Sequence, residues 1–244
     1  DFPRPGVQSF AGKTLEFEIG SAETAALNAL VLEGGVTLFM AFLAIYNILL
    51  AKLSGREEIV VGTPGDGRPD ATLENVVGMF VSTLALKSFP CGEKTFGEFL
   101  REIKDSVLAA FANQDYPYDE LVDTLGAGGN TGRNPLFDVM LTPQNKGTQD
   151  LEIPGLRLKP YNYETGTAKF DLTLRVVETG EKLLPCFEYC TDLFKKETVE
   201  RFSGYLKRVV SGILACPGIR LSDIEILSRG EKEEILIDFN NTAV

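Results

Sequence analysis

The run LFMAFLAIYNILLA, residues 38 to 51, constrains this chain more than any other stretch. It is apolar on every side of a helix and breaks only at Asn47. A bilayer span needs about 20 such residues, so the run is too short to cross a membrane. A helix that is apolar all round belongs in an interior. The rest of the chain must therefore supply elements to wrap it. Thr37 stands where an N-cap is needed, and Ser54-Gly55 closes the far end.

The flanking sequence supplies candidates of both kinds. KTLEFEIG (13 to 20) alternates Leu15, Phe17 and Ile19 with Thr14, Glu16 and Glu18, the period of a half-buried strand. Ser21 is placed to cap a helix that ends at Gly34-Gly35. EEIVVGT (57 to 63) suits an interior strand, and GMFVSTLALKSF (78 to 89) predicts another. Thr95 and Glu98 form a capping box, followed at helical spacing by Phe96, Phe99, Leu100, Ile103, Val107 and Phe111. Tyr116 precedes Pro117, which ends that helix and can serve as the first residue of a short new one. Phe137, Val139 and Leu141 alternate with Asp138, Met140 and Thr142 as a strand, followed by a loop at 143 to 155. KFDLTLRVV (169 to 177), ETGEK and LLPCFEYC read as a hairpin. A helix over 195 to 214 buries Val199, Phe202, Leu206, Val209 and Ile213, and the tail holds a short amphipathic helix. The fold class is α/β (α+β), a mixed sheet flanked by helices.

Several chemistries are removed at once. The chain has no histidine, which excludes His-based zinc sites and Ser-His-Asp or Cys-His catalysis within it. The net charge of -11 argues against nucleic acid or an anionic membrane as a main partner. Cys186 and Cys190 lie roughly 13 Å apart along a strand at ~3.3 Å per residue, too far for a disulfide. All four cysteines, with Cys91 and Cys216, are expected to be reduced and ordinarily buried. DFPRPGVQSF has neither the basic nor the apolar region of a signal peptide, so a cytoplasmic location is expected.

No motif forms a complete catalytic or metal-binding set. GAGGNTG (126 to 132) lacks the third glycine of G-x-G-x-x-G and leads into a strand, so it reads as a flexible connector. GTPGDGR (62 to 68) has no G-K-[ST]. Three polar clusters interrupt regular elements: Asp66 to Pro69, Asn113 to Asp119, and Arg133 to Pro135. Each alone reads as a turn.

Taken in order and spacing, they resemble the second half of a condensation domain from nonribosomal peptide synthetases. VVGMFVSTLALK (76 to 87) is similar to the family's I-G-x-F-V-N-T signature. NQDYPYDELV (113 to 122) is similar to its H/N-Q-D-Y-P-F-E signature, and TGRNPLF (131 to 137) to its S-R-N-P-L signature. IVVGTPGDGR (59 to 68) looks like the strand and turn that precede them. Residues 1 to 13 look like an interlobe connector, 14 to 224 like the C-terminal lobe, and 225 to 244 like a linker toward an adenylation domain.

The resemblance implies one lobe of the two-lobed fold of CoA-dependent acyltransferases, with a tunnel between the lobes. It implies amide-bond formation between aminoacyl or peptidyl thioesters held on phosphopantetheine arms. The H-H-x-x-x-D-G motif of the family belongs to the first lobe, so no catalytic residue, metal ligand or bound cofactor is expected here. Arg68 is the expected interlobe salt-bridge residue, solvated or badly satisfied when this lobe stands alone. Ser82, Thr83 and Asn134 are expected at the tunnel wall. Gly78, Gln114, Asp115, Pro117, Arg133 and Pro135 are expected to hold the motifs in shape. Ser82, Tyr118 and Gly132 depart from the family's usual asparagine, phenylalanine and serine. VVGMFVSTLALK resembles members that take an L-configured donor. The implied partners are the N-terminal lobe, upstream and downstream peptidyl carrier proteins and the adjacent adenylation domain. A partly apolar face toward the missing lobe would also let two copies pair. Two other readings stay open: a non-catalytic module that docks carrier proteins, and a lobe of an epimerization or cyclization domain.

Overall fold

The computed structural model describes residues 1–68, 71–73, 75–129, 131–144, 152–153, 156–157 and 165–241. Its elements run β1 (Gly12–Glu16), α1 (Ser21–Gly34), α2 (Leu38–Ser54), β2 (Ile59–Gly65), β3 (Ser82–Ser88), α3 (Phe96–Ala112), α4 (Tyr118–Thr124) and β4 (Val139–Gln144). Then follow β5 (Glu152–Ile153), β6 (Leu156–Arg157), β7 (Leu172–Thr179), β8 (Lys182–Cys190), α5 (Lys196–Ala215) and α6 (Arg229–Glu233). Six strands form one sheet in the order β1-β8-β7-β4-β2-β3. The pairs β7–β4 and β4–β2 are parallel and the other three antiparallel, so the sheet is mixed as expected. β5 and β6 form a separate antiparallel pair; β5 falls inside the loop predicted over 143 to 155, most of which lies outside the described residues, and β6 falls just after it.

The apolar run becomes α2, and its burial follows from its composition. Phe42, Leu43, Ile45, Tyr46, Ile48 and Leu49 are all shielded from solvent. Each such side chain contributes about 1.5–3 kcal/mol on leaving water. α2 packs against α1, α3, α5 and β2. Two polar groups inside it are satisfied. The Asn47 amide donates to the Leu43 carbonyl at 2.8 Å, and the Ser88 hydroxyl donates to Asn47 Oδ1 at 2.8 Å. The Tyr46 hydroxyl donates to the Leu172 carbonyl at 3.1 Å, and burial pushes its pKa upward.

The strand alternation reaches the tertiary level. Leu141, Leu174, Leu183, Phe187, Val61 and Leu86 turn toward the helices. The opposite face carries Thr14, Glu16, Lys87 and the Arg175–Glu188 pair at 3.5 Å. Thr37 accepts from the Met40 N–H, and the Thr95–Glu98 capping box forms in both directions.

Some boundaries differ from the sequence reading. α1 is capped by Gly20, with no side-chain cap, because the chain turns helical one residue before Ser21 could act. Pro117 is the N-cap of α4, not its first helical residue, since its ψ of 135 is extended. β3 begins at Ser82, four residues later than predicted from Gly78, and β4 begins at Val139. Phe202 is only partly buried, whereas Val199, Leu206, Val209 and Ile213 are core residues. Cysteines 91, 186, 190 and 216 are free; Cys186 and Cys190 are buried but Cys216 is exposed, because α5 ends just before it.

Candidate functional site

β2 and β3 run antiparallel and end together, with Gly65 opposite Ser82. The loop between them leaves β2 at Asp66 and returns through Phe80; Pro69, Asp70 and Glu74 within it lie outside the described residues. α3 ends beside this hairpin, and its C-terminal turn (Asn113 to Tyr116) leads into α4. Together these elements enclose an open groove of about 470 Å³. Ser82, Thr83, Gln114, Asp115 and Pro117 line it, so five of the residues singled out from sequence converge on one place. Gly67, Phe80, Val81, Tyr116, Tyr118 and Asp119 complete the walls.

The hairpin end is held by close backbone approach. Gly67 has φ +61, and a Cβ there would lie 1.6 Å from the Phe80 carbonyl oxygen. Its N–H donates to Gln114 Oε1 at 3.4 Å, which ties the helix corner to the loop. A Cβ on Gly65 would lie 2.4 Å from the Ser82 hydroxyl oxygen, so the groove floor admits no side chain there. Ser82 Oγ is buried and has no hydrogen-bond partner, a free donor and acceptor at the groove. Gly78 is exposed, beside the edge of the Phe80 ring.

Arg68 corrects the sequence expectation. It is half-buried and not badly satisfied. Its guanidinium donates to the carbonyls of Leu73 and Val76 and lies 4.1 Å from the centroid of the Phe80 ring. The planar fork of arginine allows both contacts at once. Arg68 thus closes its own loop, which carries Val77, Met79 and Val81 outward at 100%, 93% and 63% exposure. An apolar rim of this kind beside a polar groove is a surface that solvent alone does not favour.

The third motif sits next to this groove and does not line it. Arg133 pairs with Asp138 at 3.2 Å, and Pro135 is exposed on the same turn. Asn134 Nδ2 is buried without a partner. Aromatic packing joins the two places. Phe137 stacks on Tyr118 (centroids 5.8 Å) and Phe170 (5.5 Å), and its ring fills the space above Gly62, where a Cβ would lie 2.0 Å away. Burial raises the Tyr118 hydroxyl's pKa, opposed by the Leu136 backbone amide that the hydroxyl meets.

Three residues that matter here have no local sequence signal. Arg4 forks onto the Asp171 carboxylate, one of its two contacts at 3.0 Å, and also donates to the Gly132 carbonyl at 3.2 Å. Asp138 lies 3.9 Å from Arg4 as well. Burial, then Asp171, pushes the Asp138 carboxyl above its ordinary value, with Arg4 and Arg133 acting in the opposite direction. Arg4 and Asp171 are 167 residues apart, so only the fold unites them.

The fold and the groove define a class. The family model for the condensation domain matches residues 1–236, and the chain belongs to that family. Gramicidin S synthase 2 of Brevibacillus brevis is 46% identical over 100% of this chain, which covers 6% of that protein. Tyrocidine synthase 3 of Brevibacillus parabrevis is 47% identical over 100% of the chain and 4% of its own length. Among solved structures, holo-AB3403, a four-domain nonribosomal peptide synthetase bound to AMP and glycine, aligns over 95% of this chain and 19% of its own, with TM-score 0.87 and 23% identity. The condensation domain of the Monacolin K polyketide synthase MokA aligns over 91% of this chain and 50% of its own, with TM-score 0.76 and 19% identity. The fold is that of condensation domains, and the chain matches half of that domain. No single helix among the described residues is long and apolar enough to cross a membrane.

Proposed function

We propose that this chain is the C-terminal lobe of a condensation domain that joins carrier-bound thioesters into a peptide. In the reaction the amine of one tethered substrate attacks the thioester carbonyl of another. A C–N bond forms, the C–S bond breaks, and the thiol of the donor arm is released with the amine proton. Two long tethered substrates must meet in one orientation, and enforced proximity supplies much of such a rate. This reading assigns proton handling to the H-H-x-x-x-D-G motif of the first lobe, since this chain has no histidine. Its own share is one wall of the passage and the contacts that keep the lobes together.

One observation carries this reading: the motif residues Ser82, Thr83, Gln114, Asp115 and Pro117 line one open groove beside the apolar rim of Val77, Met79 and Val81. A half-channel with an apolar border fits a second lobe better than water. Arg68 sits at that border, with guanidinium N–H groups left for a carboxylate of the partner lobe after its two carbonyl contacts. The substrates would arrive on phosphopantetheine arms of upstream and downstream carrier proteins, with an adenylation domain adjacent.

The test is to join this lobe to its upstream H-H-x-x-x-D-G lobe and assay dipeptide formation between loaded carrier proteins. Product is expected from the joined protein and none from this lobe alone. A folded, joined protein with its histidine motif intact that makes no dipeptide would overturn the reading. Carrier binding by the lobe alone, without product from the joined form, would support a docking module instead.

A further inference from the structure

The N-terminal segment, which the sequence presents as a connector, is fastened to the lobe at three places. The Asp1 carboxylate accepts from the Lys195 N–H at 2.9 Å and from the Thr198 hydroxyl at 2.9 Å. It thereby caps α5, whose own N-cap, Lys195, offers no side-chain acceptor. Farther along, Gln8 N–H donates to the Thr131 carbonyl at 2.9 Å, and the Thr131 hydroxyl to the Gly6 carbonyl at 2.9 Å. Between these points lies Arg4, forked onto Asp171 and reaching the Gly132 carbonyl.

The groups around Arg4 explain why an arginine is needed. Asp171 N–H donates to the Asp138 carbonyl at 2.9 Å, which sets two partly buried carboxylates side by side. Arg4 faces both from within, and Arg133 faces Asp138 from the solvent side at 53% side-chain exposure. A guanidinium fork can hold a carboxylate with two bonds and still donate to a carbonyl, whereas an ammonium acts as a point charge.

We propose that Arg4 is a positioning residue for the Asn134 turn. By gripping Asp171 and the Gly132 carbonyl together, it fixes residues 132 to 138 against the start of β7 and sets where the Asn134 amide is presented. Asn134 Nδ2, buried and unpartnered, is the group whose placement depends on this clamp. The consequence for peptide formation rests on the proposed function; the clamp itself does not.

The first experiment is hydrogen exchange, read by mass spectrometry, on the 244-residue chain and its Arg4→Gln, Arg4→Lys and Asp171→Asn variants. Peptides covering 131 to 141 are expected to exchange about tenfold faster or more in Arg4→Gln and Asp171→Asn, the size expected for losing a charge-assisted fork. The double variant should add little, and Arg4→Lys should recover part of the protection. Peptides from α2 should not change. Unchanged exchange over 131 to 141, or equal acceleration throughout the chain, overturns the clamp. The second experiment uses the joined two-lobe domain. Arg4→Gln is expected to slow single-turnover dipeptide formation about tenfold at unchanged carrier loading, with partial recovery in Arg4→Lys. A normal rate in a variant whose turn exchanges fast overturns the positioning role. Loss of activity in the unsubstituted joined protein counts against the proposed function alone and leaves exchange to judge the clamp.

Discussion

The helix-covered core and the motif end of the sheet treat polar groups in opposite ways. In the core, Asn47, Ser88 and Tyr46 are buried and each is bonded. At the motif end, Ser82 Oγ, Asn134 Nδ2 and Asp138 Oδ1 are buried and have no partner; Thr63 Oγ1 and Thr173 Oγ1, on neighbouring strands, share this state. A buried group without a partner costs about 1–3 kcal/mol, so a chain selected for stability alone would not gather three of them in and directly after its motifs. The core satisfies its own polar groups. The motif end leaves three such groups open, which fits the proposed pairing with a second lobe.

The largest test of this contrast is in the core. Leu43→Ala should cost about 2–5 kcal/mol in urea unfolding, because α2 is enclosed on all sides and cannot collapse into the gap. A loss below about 1 kcal/mol would break the picture of α2 as the organising element. Next come two serines in the same strand. Ser88→Ala should cost about 1–3 kcal/mol by orphaning Asn47 Oδ1, whereas Ser82→Ala should not destabilise and should stabilise by up to about 1–3 kcal/mol, since it removes a buried hydroxyl without a partner. Equal losses would erase the difference between the two regions.

A smaller, local effect is expected at Arg68. Arg68→Ala should leave the global midpoint nearly unchanged and speed proteolysis between residues 68 and 81, because only that loop loses its carbonyl and ring contacts. The smallest effect is electrostatic. Asp138 has a folded pKa above its ordinary 3.8, so its protonated form is favoured in the fold. The stability it contributes is present below the unfolded value and is lost as pH rises through the folded one. Carboxyl-carbon titration by NMR should place its midpoint above 3.8. A midpoint at or below that value would mean that Arg4 and Arg133 outweigh burial and Asp171.

Much of the fold was legible because local patterns survive packing. α2, α3 and α5, the β7–β8 hairpin and the capping boxes follow from periodicity and from side chains within three or four residues of each other. The start of β3 was not legible. Met79 and Val81 carry the hydrophobicity of a strand, yet they are exposed, because they belong to the loop that Arg68 closes and not to the paired strand. The groove was legible by resemblance only in part: Ser82 and Thr83, expected at a wall, line it, as do Gln114, Asp115 and Pro117, which were expected only to hold the motifs in shape, whereas Asn134, also expected at the wall, lies beside it. Tyr118 was noted only as a departure from the pattern; its stacking on Phe137 depends on how α4 meets the turn before β4. Arg68 was misjudged in isolation, since its carbonyl partners depend on the path of the loop.

The sequence by itself determined the elements, the mixed sheet class, the absence of histidine chemistry and the family. Those depend on residue type and on spacings of a few positions, where local geometry is nearly fixed. Only the tertiary structure decided that Arg4 meets Asp171, that Asp1 caps α5, and that Arg68 closes its own loop. The first two join residues 167 and more apart, and the third joins Arg68 to carbonyls five and eight residues on in an irregular loop, so none leaves a periodic trace. They depend on the angles at which packed elements meet, and those are set by the whole core at once.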